Sequence, residues 1–513
     1  MSRTESFANL RRIDRLASAV VSRRQVLKGG LLLGAAALGG GAFGALQGSG
    51  NRGANKPKIA IIGGGLAGLA CADRLRAKGY SATIYEASGR VGGRQKSLRG
   101  FFPGQVAELG GEFIDTGHKT MIAYAREFGL TLEDVTREPG GVRYYFFGQA
   151  YSEDAVVAQY RELSRRMQAD ARASSGAPTF YNHNQADVDL DNTSLRDYLL
   201  QRAPDMPLIR AVIEEAYVAE YGLEPWEQSC LNFLLFIRIN RQSKFEPFGT
   251  SDERYHVVEG NDAISSGIAA RLPGPILFGK RLTSLRKTSG GQYEMSFADS
   301  STASADFVVV SIPFTVLRGV SLHSSLGLSS DKLRAINELG YGYNAKTMVG
   351  FQGKPWFTGT GSSGAAYSDL LEVQTTWQTN PLSAGSTSIL TDYAGGDRGL
   401  ALGSRTVASQ VEAWLNDLDV VYPGSKTAAS GSVGARVAVR EDWPSNPLTL
   451  GAYTCYKPGQ FTGIAGLESE AAGALKFAGE HTDSFYSWQG YMEGACLSGI
   501  RAANEVLADV RAL

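Results

Sequence analysis

The sequence predicts an α/β fold (α+β over its whole length), with a Rossmann-like lobe joined to a second lobe of mixed sheet and helix. Three observations predict it. At 513 residues the chain is too long for one ordinary core, so two or more lobes are expected. Between residues 59 and 86 an apolar strand, a Gly-rich turn, a helix and a second strand follow one another. Blocks of helical spacing and blocks of strand character then divide the rest of the chain.

Composition narrows the function before any motif does. Hydrophobic residues are 43% and charged residues 20%, ordinary for a chain that buries large cores. Lys+Arg and Asp+Glu are both 51, so no net positive field exists to attract nucleic acid. Four cysteines, Cys71, Cys230, Cys455 and Cys496, stand far apart with no CxxC or CxxH spacing. They read as small buried residues, with a disulfide left open as the alternative, and no metal site is expected.

The N-terminus carries an address. "SRRQVLK" (22–28) is followed by an 18-residue uncharged run rich in Gly and Ala, residues 29–46. Twin arginines ahead of a mildly apolar stretch resemble a twin-arginine export signal. A spanning helix wants about 20 strongly apolar residues, so a signal over 1–47 is the better reading. Residues 48–57 read as a linker. The expected location is periplasmic or secreted, with the twin-arginine export machinery as a partner and the protein carried already folded.

The folded part opens with "IAII" (59–62), a buried strand, and Gly63, Gly65 and Gly68 complete G-x-G-x-x-G. Gly63 allows a tight turn, Gly65 close approach of a pyrophosphate, and Gly68 close packing of helix on strand. The helix over 67–78 then offers unpaired N–H groups to phosphates, and it ends at Gly79. The strand "SATIYE" ends in Glu86, 18 residues past Gly68, where a carboxylate can accept ribose hydroxyls. A lone glycine motif is weak; strand, turn, helix, strand and acid in order make a dinucleotide site, and the acid disfavours NADP.

"GRVGGR" (89–94) follows directly, with Gly93 and Arg94 suited to a diphosphate. Here the chain resembles the flavin-containing amine oxidase family (monoamine, polyamine and L-amino acid oxidases), whose continuation after the acid is E-x-x-x-R-x-G-G-R. The resemblance implies FAD. "VAELGGEFID" (106–115) extends it: Gly110, Gly111 and Glu112 would form the family's turn beside the flavin. Near the C-terminus, "AGE" (478–480) and "WQGYMEGA" (488–495) match the family's last segment. By resemblance, Gly479 and Glu480 would bind the flavin's ribityl side, and the helix starting near Met492 would point its positive end at the isoalloxazine. A helix N-terminus stabilises an anion there by up to ~2 kcal/mol when partly buried.

The same resemblance assigns the chemistry. Tyr453, in "LTLGAYTCYKPG" (448–459), and Tyr491 fall at the family's aromatic pair, with Trp488 alongside. Lys346, in "ELGYGYNAKTMVGFQGKPWF" (338–357), falls at the lysine that holds a water near flavin N5. Ala452 stands where animal monoamine oxidases tether the flavin through cysteine, which implies non-covalent FAD. Phe113 replaces the arginine that L-amino acid oxidases use for a substrate carboxylate, while Asp115 falls where polyamine oxidases carry an amine-binding acid. Glu224, in "EYGLEPWEQS", is a second candidate acid. The implied activity is oxidative deamination of a primary amine or polyamine to imine or aldehyde, ammonia and hydrogen peroxide. An L-amino acid oxidase for basic amino acids such as L-Arg or L-Lys stays open, as do an electron carrier in place of oxygen, a non-enzymatic flavoprotein, and a homodimer.

The expected division gives residues 58–135, 255–311 and 441–513 to FAD, and 136–254 and 312–440 to substrate. "SLRDYLLQRA" and "PLIRAVIEEAYVAEYG" carry helical apolar spacing, and "FVVV" (307–310) reads as a buried strand.

Overall fold

The computed structural model describes residues 56–239 and 244–512. The twin-arginine stretch and most of the linker lie outside the described residues. A parallel sheet of five strands forms the first lobe, in the spatial order Leu475–Phe477, Phe307–Val310, Ile59–Ile62, Ala82–Tyr85, Ile276–Leu277. The central strand Ile59–Ile62 is apolar at every position and buried throughout, as a strand covered on both faces must be. Helix Leu66–Arg76 follows it and packs on the C-terminal helix Met492–Ala512. Gly499 permits that contact, because a Cβ there would overlap the Ala67 carbonyl oxygen. The first and last helices of the described fold are therefore neighbours.

The second lobe is built on a seven-stranded mixed sheet. Its order is Ala438–Asp442, Ala345–Gln352, Thr387–Ala394, Thr375–Gln378, Ser362–Ser368, Gly141–Phe146, Gln149–Tyr151. Strand Ala345–Gln352 is paired on both sides and buried along nearly its whole length, so Lys346 is carried into the interior by its register. Helices Glu153–Ala173, Leu195–Arg202 and Pro207–Tyr221 pack on this lobe. The last has Pro at its first turn and Gly222 in the left-handed conformation (φ 71°) at its C-cap, the expected stop signals. All four cysteines are free and buried. Among the described residues no helix is long and apolar enough to cross a membrane, and no cluster of His, Cys, Asp and Glu could hold a metal ion.

Candidate active site

One cavity of about 2200 Å³ runs between the two lobes. A pocket for one small ligand holds roughly 300–1,000 Å³, so this space can take a large cofactor and a substrate together.

Its first end is the turn after Ile62. Gly63 has φ 105°, and a Cβ there would stand 2.8 Å from Ser311 Oγ. A Cβ on Gly68 would overlap the Gly63 carbonyl oxygen, so the helix can lie against the turn only with glycine at that position. Gly65 differs: a Cβ there would meet only Gly93 Cα, at 3.9 Å, and the space before it is open. Gly65 is also the N-cap, with no side chain closing the helix end and no acid in its first turn. The free N–H groups thus face the cavity, ready for an anion. Glu86 is fixed beside them, accepting hydrogen bonds from Gly64 N (2.6 Å) and Ser88 N (2.7 Å).

The C-terminal segment closes over this groove. Glu480 Oε1 pairs with Arg94 Nη1 at 2.9 Å, and its Oε2 accepts from Thr454 Oγ1 (3.0 Å) and Gly490 N (2.9 Å). Arg94 also donates to the Ala452 carbonyl. Arg94 and Glu480 each line the cavity, and together they tie three distant segments into one wall. Gly479 (φ 123°) turns the chain into Glu480. Gly111 lies against Met492, the first residue of the last helix, and a Cβ there would come 2.9 Å from its side chain.

At the centre is a buried ion pair. Lys346 Nζ lies 2.7 Å from Glu112 Oε2 and donates to the carbonyls of Gly110 (2.8 Å) and Glu108 (3.2 Å). Trp377 and Tyr393 stand 5.5 and 5.8 Å from the ammonium. Glu112 Oε1 is buried without a hydrogen-bond partner, although Glu112 lines the cavity. An orphaned carboxylate oxygen beside a buried ammonium is costly unless a bound group meets it.

The second end is aromatic and acidic. Tyr453 and Tyr393 share a hydrogen bond of 2.8 Å between their hydroxyls. Tyr491 packs edge-on against Trp488 (5.7 Å) and His118 (5.3 Å). Phe113 lies 5.9 Å from Trp377. Asp115 is 1% exposed; its Oδ1 accepts from Glu253 N at 2.9 Å. Burial holds its carboxyl above the usual range. Burial also pushes the His118 imidazole down to about 3, so this ring is neutral at pH 7.

The cavity brings together every sequence-predicted site residue except Gly68, which acts through packing, and Glu224, which lies elsewhere. Glu224 Oε1 accepts from Asp397 N (2.8 Å) at the start of helix Gly396–Leu402, so it steadies a helix end instead of facing the cavity. Among the acids the sequence reading missed are Glu220 and Glu253, both on the cavity wall. Glu220 had a signal: it follows the buried Ala216 and Tyr217 by four and three residues, which puts it on the inward stripe of its helix. Glu253 lies in a loop with no periodicity to expose it, at φ 42°. Tyr393 and Trp377, also missed, look like ordinary strand aromatics in sequence.

An open helix N-terminus, an acid fixed beside it and an aromatic-walled second chamber are the parts a dinucleotide-dependent oxidoreductase needs. The residues present fit a flavin dinucleotide. The diphosphate would meet Gly63–Gly65 and the helix end, the ribose Glu86, and the ring system the wall made by Gly110–Glu112, Lys346 and Tyr453.

Comparison with known proteins agrees. The profile of flavin containing amine oxidoreductases matches residues 66–507, and the chain belongs to that family. It is 26% identical over 480 residues to the putative L-amino-acid oxidase YobN of Bacillus subtilis (strain 168), covering 87% of this chain and 94% of the relative. It is also 26% identical over 460 residues to the putative flavin-containing monoamine oxidase AofH of Mycobacterium tuberculosis, covering 88% and 96%. Among solved structures, cyclohexylamine oxidase from Brevibacterium oxydans IH-35A superposes with a TM-score of 0.74 at 19% identity, covering 89% of this chain and 99% of that one. Putrescine oxidase superposes at 0.73 and 20%, covering 88% and 99%. The two structures speak for the fold; the family assignment makes the protein an oxidoreductase that acts on amines.

Proposed function

We propose that this protein is an exported FAD-dependent amine oxidase that holds its cofactor without a covalent bond. The observation that carries the reading is convergence: the Gly63–Glu86 groove and the Lys346–Glu112 pair, with the two tyrosines, open onto one cavity. When bound, the flavin supplies the two-electron oxidation of the C–N bond to an imine, with oxygen as acceptor and hydrogen peroxide as product. The chain's own groups bind, orient and polarise. Tyr453 and Tyr491 give rigid apolar walls that favour the neutral amine at the reacting end. Lys346 holds a positive charge, fixed by Glu112 and two carbonyls, beside the chamber where negative charge develops. Aromatic packing around Trp377 and Trp488 excludes water.

Non-covalent attachment rests on Ala452 at the cavity wall, where no thiol is presented. Cys455, three residues on, is buried; its sulfur lies 3.8 Å from Asn232 Nδ2, and it does not line the cavity. The proposed twin-arginine route rests on Arg23 and Arg24 and the run after them.

A second reading, L-amino acid oxidation, is favoured by the names of the relatives that the sequence matches, YobN and the L-amino-acid oxidase of Siganus canaliculatus among them. Against it stands Phe113 at the position where a carboxylate-binding arginine would serve. The deciding experiment is peroxide release by purified holoprotein over a panel of amines and L-amino acids. Turnover of amines supports the first reading; turnover confined to amino acids replaces it with the second. Acid denaturation should release all the yellow colour, and colour kept in the pellet would refute non-covalent binding. Replacing Arg23 and Arg24 with lysine should hold the protein in the cytoplasm; unchanged export would remove the proposed route.

A further inference from the structure

Three rings close on one another at the wall of the second chamber. His118 and Trp488 meet edge to face, with centroids 4.5 Å apart and planes at 84°. Trp488 and Tyr491 repeat the arrangement at 5.7 Å and 86°, and His118 meets Tyr491 at 5.3 Å and 62°. Trp488 and Tyr491 line the cavity, whereas His118 is 0% exposed and backs them. Gly117 completes the grip: a Cβ there would lie 2.7 Å from the Trp488 indole.

The imidazole is itself fixed from two sides. His118 N donates to the Asp115 carbonyl (2.9 Å), and Nδ1 accepts from Asp115 N (2.9 Å), which leaves the ring proton on Nε2. His118 is also the N-cap of helix Lys119–Glu127, where Glu493 accepts from Thr120 N (2.8 Å) and Met121 N (2.9 Å). Glu493 stands in the first turn of the last helix, two residues past Tyr491. Residues 115–121 and 488–493 are thus clamped together through backbone and rings alike. His118 Nε2 has no hydrogen-bond partner; Asp115 Oδ2, 3.6 Å away, is beyond reach. A buried histidine that leaves one ring nitrogen unused contributes through the shape of its ring.

We infer that His118 is a positioning residue: without reaching the cavity, its ring sets the tilt of Tyr491 and Trp488, and through them the pose of the substrate carbon against the flavin. This inference rests on the amine-oxidase reading above and adds to it a residue that acts through the aromatic wall. Each ring of the triangle is held by the other two, so loss of the imidazole loosens two at once. A wall ring free to turn admits more substrate poses, of which fewer are reactive, and a displacement of about 1 Å can cost a hundredfold in rate. Affinity follows the apolar area of the chamber, which stays nearly the same, so the loss falls on rate.

Two substitutions separate the ring from its hydrogen bond. His118→Asn keeps an acceptor for Asp115 N and loses the ring; His118→Phe keeps a ring and leaves Asp115 N unsatisfied. The measurement is anaerobic stopped flow with the fastest substrate of the amine and amino acid panel. His118→Asn should lower the limiting rate of flavin reduction by at least about tenfold, with the apparent Kd within about threefold. His118→Phe should melt at a lower temperature yet keep the rate within about threefold. An unslowed His118→Asn overturns the inference. If His118→Phe loads no flavin or is slow as well, a cycle with Trp488→Leu decides: His118→Asn should cost less than about threefold more in that background, and full additivity overturns the inference.

A second readout needs no turnover. Visible circular dichroism of the bound flavin reports the rings around it. The spectrum should change in His118→Asn and be kept in His118→Phe. A His118→Asn spectrum superimposable on that of the unmodified protein overturns the inference. If the spectra behave as expected while no amine or amino acid reduces the flavin, the positioning of the wall stands and the oxidase reading fails.

Discussion

The two ends of the cavity are built by different rules. The cofactor end comes from short-range code: Gly63, Gly65, Gly68 and Glu86 fall within 24 residues, and each acts through its own backbone or a neighbour's. The substrate end gathers Asp115, Glu220, Glu253, Trp377, Tyr393, Tyr453 and Tyr491 from segments spread over almost four hundred residues. A phosphate is recognised by N–H groups that any backbone owns, so the solution is a local conformation. An amine is recognised by side chains whose placement depends on how two lobes meet. At the first end Gly63 and Gly68 leave no room for a side chain, whereas the second end is set by side chains alone.

The largest expected effect breaks the cofactor end. Gly68→Val puts a branched side chain into the Gly63 carbonyl, so helix and turn cannot both keep their places. Flavin content, read as the ratio of visible to protein absorbance, should fall below about a tenth of the unmodified protein, with stability lowered by several kcal/mol. A yellow, stable variant would show that the close approach is not required.

The seam between the ends comes next. Lys346→Met leaves Glu112 buried and unpaired, a loss of about 3–5 kcal/mol for a broken buried pair. Adding Glu112→Gln should recover most of that stability in thermal unfolding. Flavin reoxidation in stopped flow should stay slow in both, by about a hundredfold, if the ammonium is what assists oxygen. Recovery of reoxidation in the double variant would shift the role from the lysine charge to packing.

Buried carboxylates at the seam sharpen the comparison through pH. Glu108 is pushed up to about 8 and Glu493 to about 7, burial being the first cause in each. Both pKa values are raised on folding, so between the unfolded value near 4.3 and these values the native state holds the extra protons. Stability is therefore fully present below about pH 4.3 from these groups, falls as pH rises, and levels off above about 8, with up to ~1.4 kcal/mol per unit from each. Glu493→Gln should flatten the curve of unfolding temperature against pH between about 5 and 7, because its two N–H partners, Thr120 and Met121, then face a group that does not titrate. A slope unchanged by the substitution would place the titration elsewhere.

The smallest effect falls outside the cavity. Glu224→Gln loses a charged acceptor for Asp397 N, worth under about 1 kcal/mol at a partly exposed helix end. Steady-state kinetics with amines should stay within about twofold. A large change in KM would return Glu224 to the substrate end.

What the sequence made legible follows the same division. The strand Ile59–Ile62, the strand that ends just before Glu86 and the helix from Met492 are read correctly because periodicity and glycine placement are local properties. Arg94 and Glu480 could be named separately, but not as partners, since they stand 386 positions apart in the chain. Glu224 stands in a loop, where an acid looks available; Glu220 stands on a helix, where an acid looks like surface. The helix Pro207–Tyr221 turns Glu220 inward, and only its packing against the second sheet makes that face an interior one.

By itself, then, the sequence determined where backbone must bend, where apolar strands must hide and which end of the chain carries each motif, because these are set by sterics and solvation within a few residues. The tertiary structure alone decided which charges face one another. Electrostatic interaction depends on distance in space, and in this chain the groups that matter meet only when the two lobes enclose a common cavity.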